Sequence, residues 1–448
     1  MDKRRDSKFY MENPEAWEKI HDKDYFLPEP AKSVTVENGF ILPVKGVIDN
    51  YRGGVCDADG NFVAGHQMSV RPGEGGLNLN VAYPFDRNAP RVDETVVYGG
   101  FLDNHFGHFI VESLARMWWY LENCDRRYKF VFISPDKNMH RSPLIEYFLL
   151  LGLDRKDMIF PRKPTRFASI IVPEQASYIF GGFRDKAMAV YNAIRDKARP
   201  SKHENVYFTR TQFYGKSCIG EEYFEHYYRA LGYEIIAPER LSIREQISVA
   251  AGAQKIVCVN GSAHHHLLFC QDGVDITLLL RETLLLQPQV AWINQARSAR
   301  FSCVDVSANF LPTNFIGICY LLMPTIYWKE YARDLTGTDA PQAGQINEMV
   351  LEYVKQWARM FAAAGPGEAI PFEKLTLSDI ANRIQRYSYL FDDAPAVVTR
   401  EQVEDVFFDG GAINYAVLKR AFTRSRWMAI GREFEFLRGS KLHRWLRS

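Results

Sequence analysis

The sequence predicts an α/β protein in which two α/β halves are followed by a helical C-terminal region. Residues 204–281 alternate between short apolar runs and amphipathic stretches, residues 129–173 show a similar alternation, and the pattern after residue 340 is mainly helical. The chain has 448 residues, of which 47% are hydrophobic, and this is enough for two or three domains with sizeable cores. The predicted divisions are a β-rich N-terminal segment at 1–100, a first half at 101–200, a second half at 201–335 and a helical region at 336–448.

The N-terminal segment is rich in Val, Gly, Asn and Pro between residues 33 and 100. Apolar and polar residues alternate over short runs at 33–36 and 39–44, which predicts small strands joined by turns. Residues 57–61, with the sequence Asp-Ala-Asp-Gly-Asn, have the composition of a hairpin turn.

The first half begins with a predicted helix over residues 105–122. Its apolar residues recur at helical spacing, at Phe106, Ile110, Leu114, Met117 and Leu121. The elements predicted next are a strand at 129–134, a helix at 142–151 and a strand at 169–173.

The second half shows the clearest alternation of strands and helices. Strands are predicted at 205–209, 233–236, 255–259 and 275–280, and helices at 221–231, 242–251 and 264–270. Ser242 with Glu245 three residues later is a capping box, and Gly232 is typical of a helix end. Apolar strands separated by amphipathic helices favour a parallel sheet that is covered on both faces. Further helices are predicted at 346–364, 377–390 and 400–408.

The charge balance excludes a body built to bind nucleic acid, because 55 basic residues face 54 acidic ones. Residues 416–448 differ from this average: nine Lys or Arg and two Glu are interleaved with aromatic and aliphatic side chains. This composition suits peripheral contact with an anionic membrane. Docking of the segment on a mildly acidic body is the open alternative.

The ends and the cysteines predict a cytoplasmic protein. The first residues carry charges but no apolar stretch, so we expect no signal peptide, and no run reaches the ~18 apolar residues of a membrane span. The seven cysteines are scattered and include no CxxC, which predicts free thiols and neither disulfides nor a zinc site.

The first candidate site lies at the start of the helix predicted at 105–122. His108 and Glu112 are four residues apart, so they share a helix face that Arg116 continues. A carboxylate next to an imidazole orients it and raises its basicity, as a general base requires. A solvated polar stripe has the same spacing and remains the alternative. His105 and His108 have no further residues nearby to complete a metal site.

The second candidate site is the loop Asn260-Gly261-Ser262-Ala263, between the strand at 255–259 and a helix. Ligands of open α/β sheets bind at the carboxyl ends of strands, where small residues let backbone N–H groups approach a phosphate. An ordinary tight turn is the alternative. The sequence contains neither GxGxxG nor GxxxxGK[ST], which counts against a dinucleotide dehydrogenase and a P-loop NTPase.

Charged residues and histidines surround this loop in the sequence. Arg210 follows the strand at 205–209 and Lys216 lies on the next loop, so both suit an anionic ligand such as a diphosphate. Solvated surface charge is the alternative. Glu239 is placed to accept hydrogen bonds from ribose hydroxyls. His264, His265 and His266 point about 100° apart on a helix, so they cannot all bind one metal.

These segments together resemble glycosyltransferase family sixty-one, especially its bacterial members of capsular polysaccharide biosynthesis. The resemblance spans about residues 95–285 and rests on four segments in order: the N-x-x-x-H-x-x-x-E pattern at 104–112, the Thr-Arg strand end at 209–210, GYEIIAPERLSIREQI at 232–247 and KIVCVNGSAHHHLLF at 255–269. It implies two Rossmann-like halves facing a cleft, a GT-B-like arrangement. It also implies inverting transfer of a sugar from a nucleotide-sugar to a glycan or lipid-linked glycan, with no resident cofactor or metal.

The resemblance also suggests roles for individual residues. It matches Arg210, Glu221 and the segment 238–242 to the family pattern. The sequence departs from that pattern at Asn260, where many members have His, and at His266, where they have Asn. Together with the spacing arguments it gives the following expected site: catalytic His108 and Glu112; donor-binding Arg210, Lys216, Glu239, Asn260, Gly261, Ser262, Ala263 and His266; acceptor-binding Asn104, His105 and Arg116. A metal-dependent hydrolase that uses the histidines and an inactive glycan-binding member of the family are the alternatives.

Asp57 and Asp59 match the DxD pattern with which some glycosyltransferases hold a metal-bound nucleotide. This pair does not follow a long nucleotide-binding α/β unit, so we interpret it as part of the turn at 57–61.

Overall fold

The structure is a computed structural model that describes residues 7–47, 50–73, 79, 82–124, 128–213, 218–282, 287–309, 319–341, 344 and 346–363. Its strands are β1 (Ser7–Tyr10), β2 (Ser33–Glu37), β3 (Phe40–Lys45), β4 (Arg52–Cys56), β5 (Arg91–Phe101), β6 (Lys129–Ile133), β7 (Met158–Ile159), β8 (Thr165–Pro173), β9 (Ser177–Tyr178), β10 (Gly182–Phe183), β11 (Asn205–Phe208), β12 (Cys218–Ile219), β13 (Glu234–Ile236), β14 (Lys255–Val259), β15 (Asp275–Leu280), β16 (Arg300–Asp305) and β17 (Tyr320–Leu321).

The α-helices are α1 (Glu15–His21), α2 (Phe106–His108), α3 (Trp118–Glu122), α4 (Glu146–Leu151), α5 (Asp185–Ala198), α6 (Glu221–Ala230), α7 (Ile243–Gly252), α8 (Pro288–Ala296), α9 (Ile326–Thr336) and α10 (Ile346–Ala363). A π-helical turn at Phe109–Ser113 and a 3-10 helix at Ser262–Phe269 complete the elements around the site. The predicted helices at 377–390 and 400–408 and the basic segment 416–448 lie outside the described residues.

The second half contains a parallel sheet, as the sequence predicts. Its order is β13-β11-β14-β15-β16, with β1 added at the far edge, and every pair is parallel. In the numbering of this half alone the order is 2-1-3-4-5, which is a doubly wound arrangement with its switch point between β11 and β14. The predicted capping box is present, since Ser242 and Glu245 exchange side chain to backbone hydrogen bonds at the start of α7.

The first half contains a mixed sheet, which is only partly Rossmann-like. Its order is β4-β3-β8-β5-β6-β7, with β2 also paired to β8. The pairs among β5, β6, β7 and β8 are parallel, whereas β2, β3 and β4 are antiparallel to their neighbours.

Residues 1–100 do not form a separate β-rich segment, contrary to the sequence expectation. Strands β2, β3 and β4 belong to the sheet of the first half, and β1 pairs with β16 in the sheet of the second half. The physical reason is that strand edges carry unpaired N–H and C=O groups, which these N-terminal strands satisfy.

The helix predicted at 105–122 is interrupted. It begins with α2, widens into the π-helical turn, passes through irregular turns and resumes as α3. Groups from outside the helix capture its carbonyl oxygens: Ser177 Oγ donates to Val111 O at 2.6 Å, and the Ala176 N–H donates to Ala115 O at 2.9 Å. These bonds compete with the regular helical ladder, and such π-helical turns are frequent at functional sites.

The two halves share one apolar core. Phe109 and Ile110 from the first half, Leu267 and Leu268 from the 3-10 helix, and Trp292 from α8 belong to the same buried cluster. The protein is therefore a mixed α/β structure with a continuous core. A GT-B-like arrangement of two separate domains is not confirmed.

The part of the helical C-terminal region that the structure describes is α10. Its residues Val350, Tyr353, Val354 and Trp357 are buried, and the helix packs on the β12–β17 pair. Among the described residues, no helix is both long and apolar enough to cross a membrane. All seven cysteines lie in the described part of the chain and are free thiols, as the sequence predicts.

Candidate active site

A cavity of about 340 Å³ lies at the carboxyl ends of β11, β14 and β15. It coincides with the switch point of the parallel sheet, where doubly wound proteins bind their ligands. Both halves line it, through Asn104, His105, Phe106, Thr209, Arg210, Phe213, Pro238, Glu239, Gln246, Ser262, Ala263, His266 and Arg281.

Gly261 lets two arginines converge at this switch point. It has φ +149°, a conformation that L side chains rarely adopt. A Cβ atom at Gly261 would lie 3.2 Å from Arg281 Nη2 and 3.5 Å from Arg210 Nη1. The absence of a side chain therefore leaves space for two guanidinium groups at the loop.

Arg210 lies two residues after the end of β11, and its backbone is held by a buried carboxyl group. Its backbone N–H donates to Glu221 Oε1 at 2.9 Å, and its guanidinium lies 5.2 Å from the centre of the Phe213 ring. Burial raises the pKa of Glu221 to about 8, although the hydrogen bond and the charge of Arg210 oppose this rise. The Glu221 carboxyl therefore fixes the backbone at Arg210 and leaves the guanidinium group free of a direct hydrogen bond to it.

Arg281 directly follows β15, at the same edge of the sheet as Arg210, and the sequence prediction missed it. Its backbone N–H donates to Asn260 Oδ1 at 2.8 Å, and its guanidinium lies 4.3 Å from the centre of the Tyr320 ring. The available signal was an arginine at the carboxyl end of a predicted strand, the same signal that identified Arg210.

Asn260 does not line the cavity, contrary to its expected role in donor binding. It is buried, its N–H donates to Leu279 O at 2.8 Å, and its side-chain oxygen is occupied by the N–H of Arg281. The loop between β14 and the 3-10 helix needs this side chain to fix the end of β15. Asn260 therefore positions Arg281.

The two guanidinium groups have unused hydrogen-bonding capacity. Neither forms an ion pair within the described residues, and Arg210 Nε and Arg281 Nη1 are buried without a hydrogen-bond partner there. Leaving a buried cation uncompensated is costly. An anionic ligand would satisfy both groups, and a diphosphate has the matching charge and acceptor oxygens.

The other lining residues of the second half form a less charged wall. Glu239 is exposed at the end of the segment after β13. His266 Nε2 lies 2.7 Å from Gln246 Oε1, while Gln246 Nε2 donates to the carbonyl oxygens of Pro238 and Leu241. Burial lowers the pKa of His266 to about 4, so it is neutral and provides a flat ring rather than a charge.

His264 and His265 are both buried, and His265 lies between the halves. Burial lowers the pKa of each to about 3, and the His265 ring lies against Gly107, where a Cβ atom would be 2.9 Å from its Cε1. Among the described residues, no group of three or more His, Cys, Asp or Glu side chains has the arrangement of a metal site.

His108 and Glu112 form a hydrogen-bonded pair beside the cavity. His108 Nδ1 lies 2.5 Å from Glu112 Oε2; the imidazole is 26% exposed, whereas the carboxylate is fully buried. Burial lowers the pKa of His108, but the hydrogen bond and the charge of Glu112 outweigh it and raise the pKa above its ordinary value. Burial also raises the pKa of Glu112. A carboxylate accepting from Nδ1–H leaves Nε2 as the basic nitrogen.

His108 is not itself a lining residue of the cavity. Its ring centre lies 5.1 Å from that of His105, which does line the cavity together with Asn104. Three of the expected residues, Asn104, His105 and His108, therefore lie close together at the junction of the halves.

Arg116 lies in the core rather than on the face of His108, which corrects its expected role in acceptor binding. Its guanidinium donates to the carbonyl oxygens of Gly65 at 2.9 Å, Gln67 at 2.8 Å and Pro173. The helix gives way to irregular turns between Ser113 and Trp118, so the four-residue spacing no longer places Glu112 and Arg116 on one face.

Lys216 lies outside the described residues. Asp57 holds its own turn, since its Oδ1 accepts from the N–H groups of Asp59 and Asn61, in agreement with its interpretation as a turn residue.

Residues 106–277 match the sequence model of the family described as Glycosyltransferase 61. The match includes His108, Glu112, Arg210 and the loop at Gly261, and it ends before Arg281. No curated protein matches the chain. The match covers less than half of the chain and supports a glycosyltransferase domain there; this family implies, in general, a nucleotide-sugar donor and a glycan acceptor.

Proposed function

With a glycosyltransferase 61 domain at residues 106–277 as the premise, we propose that the chain is an inverting, metal-independent glycosyltransferase. The observation that carries this proposal is the pair of unpaired guanidinium groups that meet at Gly261, in a cavity next to the His108–Glu112 pair. The two guanidinium groups suit a departing diphosphate, and the His108–Glu112 pair suits an attacking hydroxyl.

The donor occupies the cavity. Its volume of about 340 Å³ falls at the lower end of the range for small-molecule sites. Arg210 binds the diphosphate, and Ser262 and Ala263 line the cavity beside it. Glu239 accepts hydrogen bonds from the ribose hydroxyls. An acidic residue after the second strand of a doubly wound unit has this function in dinucleotide-binding folds.

The acceptor approaches the exposed side of His108. Nε2 of His108 takes the proton of the acceptor hydroxyl while the hydroxyl oxygen forms a bond to the anomeric carbon of the donor sugar. The bond from that carbon to the diphosphate oxygen breaks, and its electron pair remains on that oxygen, where the guanidinium charge stabilises it. Attack opposite to the leaving group inverts the anomeric carbon. Glu112 stabilises the imidazolium that forms, and such base catalysis contributes about 10²- to 10⁴-fold.

For the acceptor and the cellular setting, we propose a glycan or lipid-linked glycan of bacterial surface polysaccharide assembly. This proposal is supported by the resemblance of residues 95–285 to bacterial members of the family. The basic and aromatic composition of 416–448 supports a cytoplasmic enzyme in peripheral contact with the inner face of an anionic membrane.

The decisive experiment presents the purified full-length chain with UDP-, GDP-, dTDP- and CMP-sugars. We expect at least one to raise the melting temperature and to be hydrolysed slowly without an acceptor, and this hydrolysis to persist after chelation. If none binds, the transferase proposal fails. Binding without any hydrolysis or transfer would favour the inactive glycan-binding alternative, and hydrolysis that requires a bound metal would favour the hydrolase.

His108→Ala tests the assignment of the base. We expect the rate of sugar transfer to fall by about 10²- to 10⁴-fold. Donor affinity, measured by calorimetry, should stay unchanged, because His108 does not line the cavity. Full transfer activity in this variant would remove His108 from the mechanism.

A further inference from the structure

Arg281 lies beyond the residues that match the family, and the reaction described so far assigns it to neither phosphate of the donor. Resting on the proposed function, we infer that Arg281 binds the sugar-linked phosphate of the donor, the one that carries the negative charge when the sugar leaves. We further infer that Tyr320 is its positioning residue.

The order of the strands gives the order of the contacts. β13, β11, β14 and β15 are consecutive in the sheet, and the residues at or beyond their carboxyl ends are Glu239, Arg210, Gly261 and Arg281, respectively. Neighbouring strands are about 4.8 Å apart, so a ligand lying along this edge contacts these residues in the order of their strands.

The orientation of the donor along this edge follows from charge. Among the described lining residues, Glu239 is the one carboxylate, so its end of the cavity suits ribose hydroxyls and repels phosphates. The nucleoside then lies at β13, the nucleoside-linked phosphate at Arg210 and the sugar-linked phosphate at Arg281. Both guanidinium groups lie within 3.5 Å of one point above Gly261, which is close enough for them to hold two adjacent phosphates.

Tyr320 and Asn260 fix Arg281 from two sides. Asn260 accepts from the backbone N–H at 2.8 Å, and the buried Tyr320 ring lies 4.3 Å from the guanidinium, at the distance of a cation–π contact. Tyr320 belongs to β17, which pairs with β12, and the charges of Arg281 and Arg210 both oppose the rise that burial causes in the pKa of the Cys218 thiol on β12. Both arginines therefore lie next to the same two-stranded pair.

The test compares affinities for nucleoside diphosphates and monophosphates. The full-length chain and its variants are titrated by calorimetry with UDP and UMP, GDP and GMP, and dTDP and dTMP. Arg281→Gln should weaken diphosphate binding by about 10- to 100-fold and change monophosphate binding by less than about threefold. Arg210→Gln should weaken both.

Tyr320→Leu should weaken diphosphate binding by about 3- to 10-fold, whereas Tyr320→Phe keeps the aromatic ring and should bind as the wild type does. Arg184→Gln is the matched control, because Arg184 is also partly buried and stacks on a tyrosine, Tyr178, outside the cavity. It should leave both affinities unchanged, whatever it does to the melting temperature.

The outcomes separate this inference from the proposed function. If Arg210→Gln weakens diphosphate binding and Arg281→Gln does not, or if Arg281→Gln weakens both nucleotides equally, the role of Arg281 is refuted and the proposed function stands. If no nucleotide binds the wild type, both fail. Should Arg281→Gln not fold, Arg281→Lys replaces it; a loss of about 3- to 10-fold for the diphosphate alone supports the role, and wild-type affinity refutes it.

Discussion

Glu112→Gln isolates what the buried carboxylate does for His108. The variant keeps the shape of the side chain and removes its charge at a site where Oε2 lies 2.5 Å from His108 Nδ1 and the carboxylate has no solvent exposure. His108 becomes positively charged only as it takes the acceptor proton, so the charge of Glu112 acts mainly in the transition state. A hydrogen bond to a charged group is worth about 1.5–3 kcal/mol, which corresponds to a loss of about 10- to 100-fold in kcat/KM.

The pH profile of the same variant gives a second, independent result. The base works in its unprotonated form, so activity rises with pH through the pKa of His108. Because Glu112 raises that pKa, its removal should move the acid limb of kcat/KM to lower pH.

The assay is initial transfer rate against pH at saturating donor. Glu234→Gln is the matched control, since Glu234 pairs with His203 Nδ1 on the surface in the same way. It should leave the profile unchanged. An acid limb that does not move in Glu112→Gln, with a loss of less than about threefold on the plateau, would refute the pairing as the source of basicity.

Three further predictions concern the loop, the core and the tail. Gly261→Ala should lower donor affinity at least about tenfold in calorimetry, because φ +149° is strained for alanine and the Cβ meets Arg281; unchanged affinity would contradict the site. Arg116→Ala should lower the free energy of unfolding in urea by about 3 kcal/mol or more, because three carbonyl oxygens lose their donor, while the KM for the acceptor stays constant; the opposite pattern would restore Arg116 to the acceptor site. Deletion of 416–448 should abolish binding to anionic vesicles and preserve nucleotide binding, and retained vesicle binding would exclude this segment as the membrane contact.

The sequence predicted the second half well because its signals are local. The period of apolar residues, the Ser242–Glu245 capping box and the small residues after the strand at 255–259 each depend on neighbours within a few positions. The rule that ligands bind at the carboxyl ends of parallel strands then identified Arg210 and Gly261, which the structure brings together.

The same local reasoning failed where contacts with distant residues determine the backbone geometry or the strand pairing. The four-residue spacing from Glu112 to Arg116 predicted a shared face. Hydrogen bonds from Ala176 and Ser177 instead capture carbonyl oxygens of this segment, and irregular turns follow Ser113, so Arg116 lies in the core. The N-terminal strands were predicted as a separate segment, although their partners lie more than a hundred residues away.

By itself, the sequence determined the α/β class, the parallel second half and the residue types at the ends of its strands. Only the tertiary structure decided that β14 lies between β11 and β15, and hence that Arg210 and Arg281 meet over Gly261. It also decided that Asn260 accepts a hydrogen bond from Arg281 rather than lining the cavity. The physical reason is that helix and strand periods are set by neighbouring residues, whereas strand order is set by which edges and apolar faces pair across the whole chain.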